Sequence, residues 1–169
     1  MIAYLALGSN LGDRAATISE ALRMIGELPT TQVLEVSPLY TTPPAYVLDQ
    51  PEFLNGAATV ETSLEPRAFL AELLEIEQAL GRVRAVPNGP RSIDLDILIW
   101  GEIVIDTPEL TVPHPALHER DFVLVPLADL AADVVHPVTG RTIAAHLDAI
   151  EVVDVIGYEV PVLALGKPD

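Results

Sequence analysis

Cysteine is absent from the chain, which excludes disulfides, thiol nucleophiles and cysteine-zinc sites together. Lysine occurs once, at Lys167, so a phosphate loop that relies on a lysine cannot be built near the N-terminus. Gly8-Ser-Asn-Leu-Gly12 is accordingly neither a Walker A motif nor a dinucleotide fingerprint. Any nucleotide phosphates would have to be held by arginine and metal. No apolar run approaches the roughly 20 residues of a membrane span, and MIAYLALGSN lacks the basic start of a signal peptide. These absences predict a cytoplasmic protein without a membrane partner. The net charge of −16 argues against nucleic acid, whose affinity comes largely from clustered cations. No repeat, low-complexity tract or linker divides the 169 residues, so one domain is expected over 1–169.

What is present concentrates between residues 82 and 96. Eight of the nine cationic residues are arginines, and Arg82, Arg84, Arg91 and Arg120 fall within 39 consecutive positions. Arginine suits bidentate contact with phosphate better than lysine does. Ile93 to Trp100 alternates as a strand, which predicts Asp94 and Asp96 on one face and Ile93, Leu95, Ile97 and Ile99 on the other. Two neighbouring carboxylates repel unless a cation joins them, and the options are arginine or a hard divalent ion such as Mg²⁺. Taken alone the motif is weak, because many Asp-x-Asp pairs merely face solvent. The flanking Gly89-Pro90-Arg91 and the upstream arginines weigh toward metal plus polyphosphate.

Along the chain, Met1–Leu7 reads as a buried strand, Asp13–Leu28 as a helix stopped by Pro29, and Val33–Tyr40 as a second strand. Residues 41–51 have the proline content of a binding loop. Phe53–Thr62 resumes the strand pattern, with Phe53 and Asn55 on one face. That pair suits a flat heterocycle, which wants a stacking surface and edge hydrogen bonds, or equally a core ring beside a structural amide. Pro66–Leu80 is a helix with a Phe69, Leu73, Ile76, Leu80 stripe, ended by Gly81. Glu77, beside that stripe, either braces an arginine or is exposed. His114 and His118 stand four apart, but Pro115 disfavours the helix that a zinc pair needs. More plausibly His114 and Arg120 enter the arginine cleft. Leu124–Leu130 and Thr142–Leu147 read as short helices, and the valine-rich stretch from Val152 to Leu165 as an edge strand or a subunit contact.

LALGSNLGDR, SPLYTTPP, the run from Gln50 to Asn55, GRVR, NGPRSIDLDIL and TVPHPALHERDFVLVPL together resemble the 6-hydroxymethyl-7,8-dihydropterin pyrophosphokinase family, in order, from about Ile2 to Pro137. The resemblance implies transfer of pyrophosphate from ATP to the pterin hydroxymethyl group, releasing AMP, in folate biosynthesis. It implies an α+β, ferredoxin-like β-α-β-β-α-β sandwich, to which this chain is expected to add extra C-terminal helices and an apolar tail after about residue 150 that lies outside the resemblance. It implies two Mg²⁺ ions on Asp94 and Asp96, with Arg82 and Arg91 assisting transfer. His114 and Arg120 match ATP-phosphate ligands, with Thr111, Arg84 and, behind them, Glu77 as lesser candidates. Phe53 and Phe122 match the rings that sandwich the pterin, while Asn55, Thr42, Pro43 and Ala45 match its edge contacts. Loops 41–51 and 82–89 would close over the site. Two other classes fit parts of the pattern: a nucleotidyl transferase releasing pyrophosphate, and a sensor that binds without turnover.

Overall fold

The computed structural model describes residues 1–44, 48–82, 89–153 and 155–158. Its main sheet is antiparallel, formed by β1 (Ile2–Ser9), β2 (Thr31–Val36), β3 (Leu39–Thr42), β4 (Phe53–Thr62), β5 (Asp94–Trp100) and β8 (Ile156–Tyr158). The order is β5-β1-β4-β3-β8, with β2 also paired to β4. A two-stranded ribbon, β6 (Ile105–Asp106) and β7 (Thr111–Val112), follows β5.

Period-two alternation builds two cores, one on each face of the sheet. Ala3, Leu5 and Leu7 of β1 point toward α1 (Arg14–Gly26) and α2 (Pro66–Ala79), where they meet Ile18, Leu22, Ile25, Phe69 and Leu73. Trp100 closes this layer edge-on to Phe69, with ring centroids 5.4 Å apart. Such a pair contributes about 0.5–1.5 kcal/mol beyond the area it buries. The other face is covered by α3 (Asp121–Ala131) and α4 (Ile143–Asp148) through Val123, Leu124, Leu127 and Ile143. The helix ends follow local chemistry. Asp13 accepts from Ala16 N at 3.2 Å to cap α1, Pro66 occupies the first turn of α2, and Gly81, with φ of +87°, turns the chain out of it.

Three expectations need correction. Ile99 does not share a face with Ile97: Tyr4 pairs with Ile99 while Leu5 pairs with Ile97, so Leu98 is an extra residue on β5. That bulge turns Leu98 and Ile99 together into the α3 core and leaves Trp100 with Ile97 in the other. The strand expected over Val33–Tyr40 is broken at Ser37-Pro38 into β2 and β3, both lying on β4. Proline brings no N–H to the ladder, and at the break the Ser37 hydroxyl accepts from Ala57 N at 2.8 Å instead. Finally, α3 begins at Asp121, three residues before the expected Leu124. Of the tail, residues 156–158 form an edge strand on β3, pairing Leu39 with Tyr158 and Thr41 with Ile156. The remainder, 159–169, lies outside the described residues. Among the described residues no helix is long and apolar enough to cross a membrane.

Candidate active site

Between the sheet that floors it and the first turn of α3, which contributes Phe122 and Val123, lies a cavity of about 280 Å³. One row of cross-strand neighbours crosses that floor. Asn55 on β4 pairs with Gly8 on β1, and Gly8 pairs with Asp94 on β5. In the row behind it, Ala57 and Asp96 flank Ala6. An amide and a carboxylate pair thus stand on either side of a central strand, roughly 10 Å apart at a strand spacing of about 4.8 Å. The gap between them depends on glycine, since a Cβ on Gly8 would lie 2.9 Å from Asn55 Oδ1 and 3.8 Å from Asp94 Cβ.

The carboxylate side is cationic. Arg82 Nη1 donates to Asp94 Oδ1 and to Glu77 Oε1, both at 2.8 Å, and Arg91 Nη1 lies 3.7 Å from Asp94 Oδ2. Burial disfavours the Arg82 charge, but Asp94, Glu77 and Asp96 outweigh it and hold the guanidinium above its usual range. Asp96 responds in the opposite sense. Burial first, then the charges of Asp94 and Glu77, push its carboxyl up to about 7 against the pull of Arg82 and Arg91. Asp96 therefore holds its proton into the neutral range unless a further cation compensates its charge. Among the described residues no group of three or more His, Asp or Glu converges on a metal position. Two hard carboxylates alone fit Mg²⁺, which takes one or two from the protein and completes its shell with water and phosphate oxygens, and do not fit a closed zinc cage.

His114 and Arg120 line the cavity beside these aspartates. His114 Nδ1 accepts from Ala116 N at 3.2 Å, so the neutral ring carries its proton on Nε2, a donor suited to a phosphate oxygen. Burial, then Arg120, lower its pKa and keep the ring neutral. The opposite end is apolar and amide-lined. Phe53, Phe122, Thr42 and Pro43 all face the cavity, and Asn55 Nδ2 donates to Thr42 Oγ1. The Arg91 guanidinium lies 4.9 Å from the Phe53 ring centre, and that of Arg120 lies 5.8 Å from Phe122.

The cavity thus gathers Arg82, Arg91, Asp94, Asp96, His114, Arg120, Thr42, Pro43, Phe53, Asn55 and Phe122. Two candidates lie off its lining. Glu77, expected either to brace an arginine or to be exposed, is 3% exposed and lies behind it, holding Arg82 and accepting from Leu95 N at 2.9 Å. Thr111 sits in the β6-β7 ribbon opposite Asp106. Arg84 and Ala45 lie outside the described residues, as do parts of both expected lid loops. His118 packs near His136 and His146, with ring centroids 6.3 and 5.7 Å away. Sequence reasoning missed Gly8, Gln50 and Asn10 as site residues. Gly8 and Asn10 sit where a strand simply ends, and their importance arises from neighbours far along the chain.

Comparison with known proteins bears on this geometry. A sequence model of the 7,8-dihydro-6-hydroxymethylpterin-pyrophosphokinase (HPPK) family matches residues 4–132. The 2-amino-4-hydroxy-6-hydroxymethyldihydropteridine pyrophosphokinase of Pseudomonas aeruginosa is 49% identical over 131 residues, covering 78% of this chain and 81% of that protein. Folic acid synthesis protein fol1 of Schizosaccharomyces pombe is 46% identical over 149 residues, which are 88% of this chain. The match spans only 20% of the length of that fungal protein. Among solved structures, Plasmodium falciparum HPPK-DHPS with pteroate superposes with a TM-score of 0.70 at 19% identity, covering 87% of this chain and 42% of that one, a likeness of fold.

Proposed function

Because the chain belongs to the 7,8-dihydro-6-hydroxymethylpterin-pyrophosphokinase family, we propose that it transfers pyrophosphate from ATP to 6-hydroxymethyl-7,8-dihydropterin. The products are the pterin diphosphate and AMP, and the step serves folate biosynthesis. The single observation that carries this reading is the floor row in which Asn55 and the Asp94–Asp96 pair are separated by Gly8. Ring and polyphosphate then lie side by side over one continuous sheet.

The pterin would stack between Phe53 and Phe122, with Asn55 and Thr42 exchanging their mutual hydrogen bond for bonds to its edge. Its hydroxymethyl oxygen attacks the β phosphorus, the new O–P bond forms as the bond to the α–β bridging oxygen breaks, and the hydroxyl proton is released. Asp94 and Asp96 would hold two Mg²⁺ ions, which when bound withdraw charge from the triphosphate. Arg82 and Arg91, which line the cavity beside the aspartates, would stabilise the transition state most, offsetting the charge that grows on the leaving oxygen. His114 Nε2–H and Arg120 orient the phosphates, with Arg84 as a further contact. Glu77 serves as a brace rather than a ligand. Thr111 belongs to the periphery of the nucleotide side. Loops 41–51, with Ala45, and 82–89 would exclude water that otherwise hydrolyses ATP.

The strand order β5-β1-β4-β3, with α1 and α2 on one face, supports a ferredoxin-like core in which β2 and β3 are halves of one broken strand. We read 1–169 as one such domain with an apolar tail. The test is product analysis with purified protein, ATP, Mg²⁺ and the reduced pterin. AMP formed in equal amount to the pterin diphosphate is expected. Release of pyrophosphate would assign a nucleotidyl transferase instead, and binding without turnover a sensor.

A further inference from the structure

We propose that Asn10 is the positioning residue that couples the substrate-ring loop before β4 to Arg91, so that seating of the ring and placement of the guanidinium are one event. The proposal rests on the pyrophosphokinase reading above. Asn10 follows β1 directly and is only 2% exposed. Its Nδ2 donates to Gln50 Oε1 and to Pro51 O, both at 3.0 Å. Its Oδ1 accepts from Arg91 N at 2.9 Å, and its own backbone N donates to Arg91 O at 3.2 Å. One short side chain therefore joins three segments that are distant in sequence. A buried amide is retained at such a point only if its donors and acceptor are matched, and here both Nδ2 hydrogens and Oδ1 are used.

The partners make this more than a fold contact. Gln50 faces the cavity on the side of Thr42 and Pro43. Arg91 has both its backbone N–H and its carbonyl bonded to Asn10, which fixes the point from which its long side chain reaches Phe53 and Asp94. Among the described residues Arg91 Nε has no hydrogen-bond partner, and the guanidinium meets the Phe53 ring and Asp94 from the backbone position that Asn10 fixes. Its aim depends on where its backbone is anchored. Aspartate in place of Asn10 would keep the acceptor and lose the donors to the loop, and glutamine would carry the amide one methylene too far.

The experiment is a double-mutant cycle on the full chain, reading kcat and both KM values with ATP and 6-hydroxymethyl-7,8-dihydropterin. Asn10→Ala is expected to lower kcat by about 10- to 100-fold, the scale of a small misplacement of a catalytic group, with KM for ATP changed less than about 3-fold. In an Arg91→Ala background the same substitution should cost less than about 3-fold in kcat, because the group it aims is gone. A loss that multiplies unchanged through both backgrounds overturns the role and leaves Asn10 a fold residue. If Asn10→Ala does not fold, Asn10→Asp is carried through the same cycle under the same criterion. Absence of AMP from the wild type would overturn the activity reading and this role with it. Normal wild-type turnover with multiplicative losses overturns this role alone.

Discussion

Asp96 behaves differently from the other residues of the floor, because its carboxyl is held near 7 by burial and by its neighbour Asp94. In the metal-free protein the folded chain binds this proton more tightly than the unfolded chain, whose aspartates ionise near 4. The contribution of Asp96 to stability is therefore fully present below about pH 4 and is lost as pH rises through about 7. Asp96→Asn should abolish that decline and raise the metal-free melting temperature at pH 8, by roughly 2–4 °C for each kcal/mol recovered. The same variant should lose nearly all turnover, a combination visible by calorimetry and assay on one sample. An unchanged pH slope would remove the charge conflict from the account. Gly8→Ala tests the other half of the row. Its Cβ must displace the Asn55 amide, so KM for the pterin should rise about 10-fold while KM for ATP stays within about 3-fold. Equal effects on both substrates would mean that the substitution deforms β1 rather than the ring end.

At the scale of elements, α2 and β5 are joined by Glu77, whose carboxylate holds both Arg82 and the Leu95 N–H between the two aspartates. Glu77→Gln keeps a hydrogen-bonding shape but removes the charge opposite Arg82, and should cost about 1–3 kcal/mol in urea unfolding. A loss under 0.5 kcal/mol, on the scale of about 0–1 for surface pairs, would mark the ion pair as ornamental. Element identity was largely legible in the sequence: β4 and α2 follow from alternation, from Pro66 and from Gly81. The bulge at Leu98 was not, because Ile97-Leu98-Ile99 is apolar throughout and alternation leaves no trace of which residue is extra. The break at Ser37-Pro38 was read through as one strand, because a single proline inside an otherwise good strand pattern does not reveal that two halves return to the same partner. Site residues with distinctive chemistry, such as Asp94, Asp96, Arg91 and His114, were readable, whereas Asn10 and Gly8 matter only through partners that folding brings to them.

As a whole molecule the chain carries a net charge of −16, yet among the described residues Arg82, Arg91 and Arg120 face one cavity. An acidic exterior would repel a free triphosphate, whereas the arginines, with the carboxylate pair once a metal fills it, would reverse the field locally. Asp96 is expected to ionise beside Asp94 only when magnesium triphosphate neutralises it. Calorimetric titration with a non-hydrolysable ATP analogue tests it most directly, in wild type and Asp96→Asn, with Mg²⁺ and with chelator. The account predicts at least about 10-fold tighter binding with Mg²⁺ in the wild type, and loss of most of that gain in Asp96→Asn. Equal wild-type affinity with and without Mg²⁺ would contradict it.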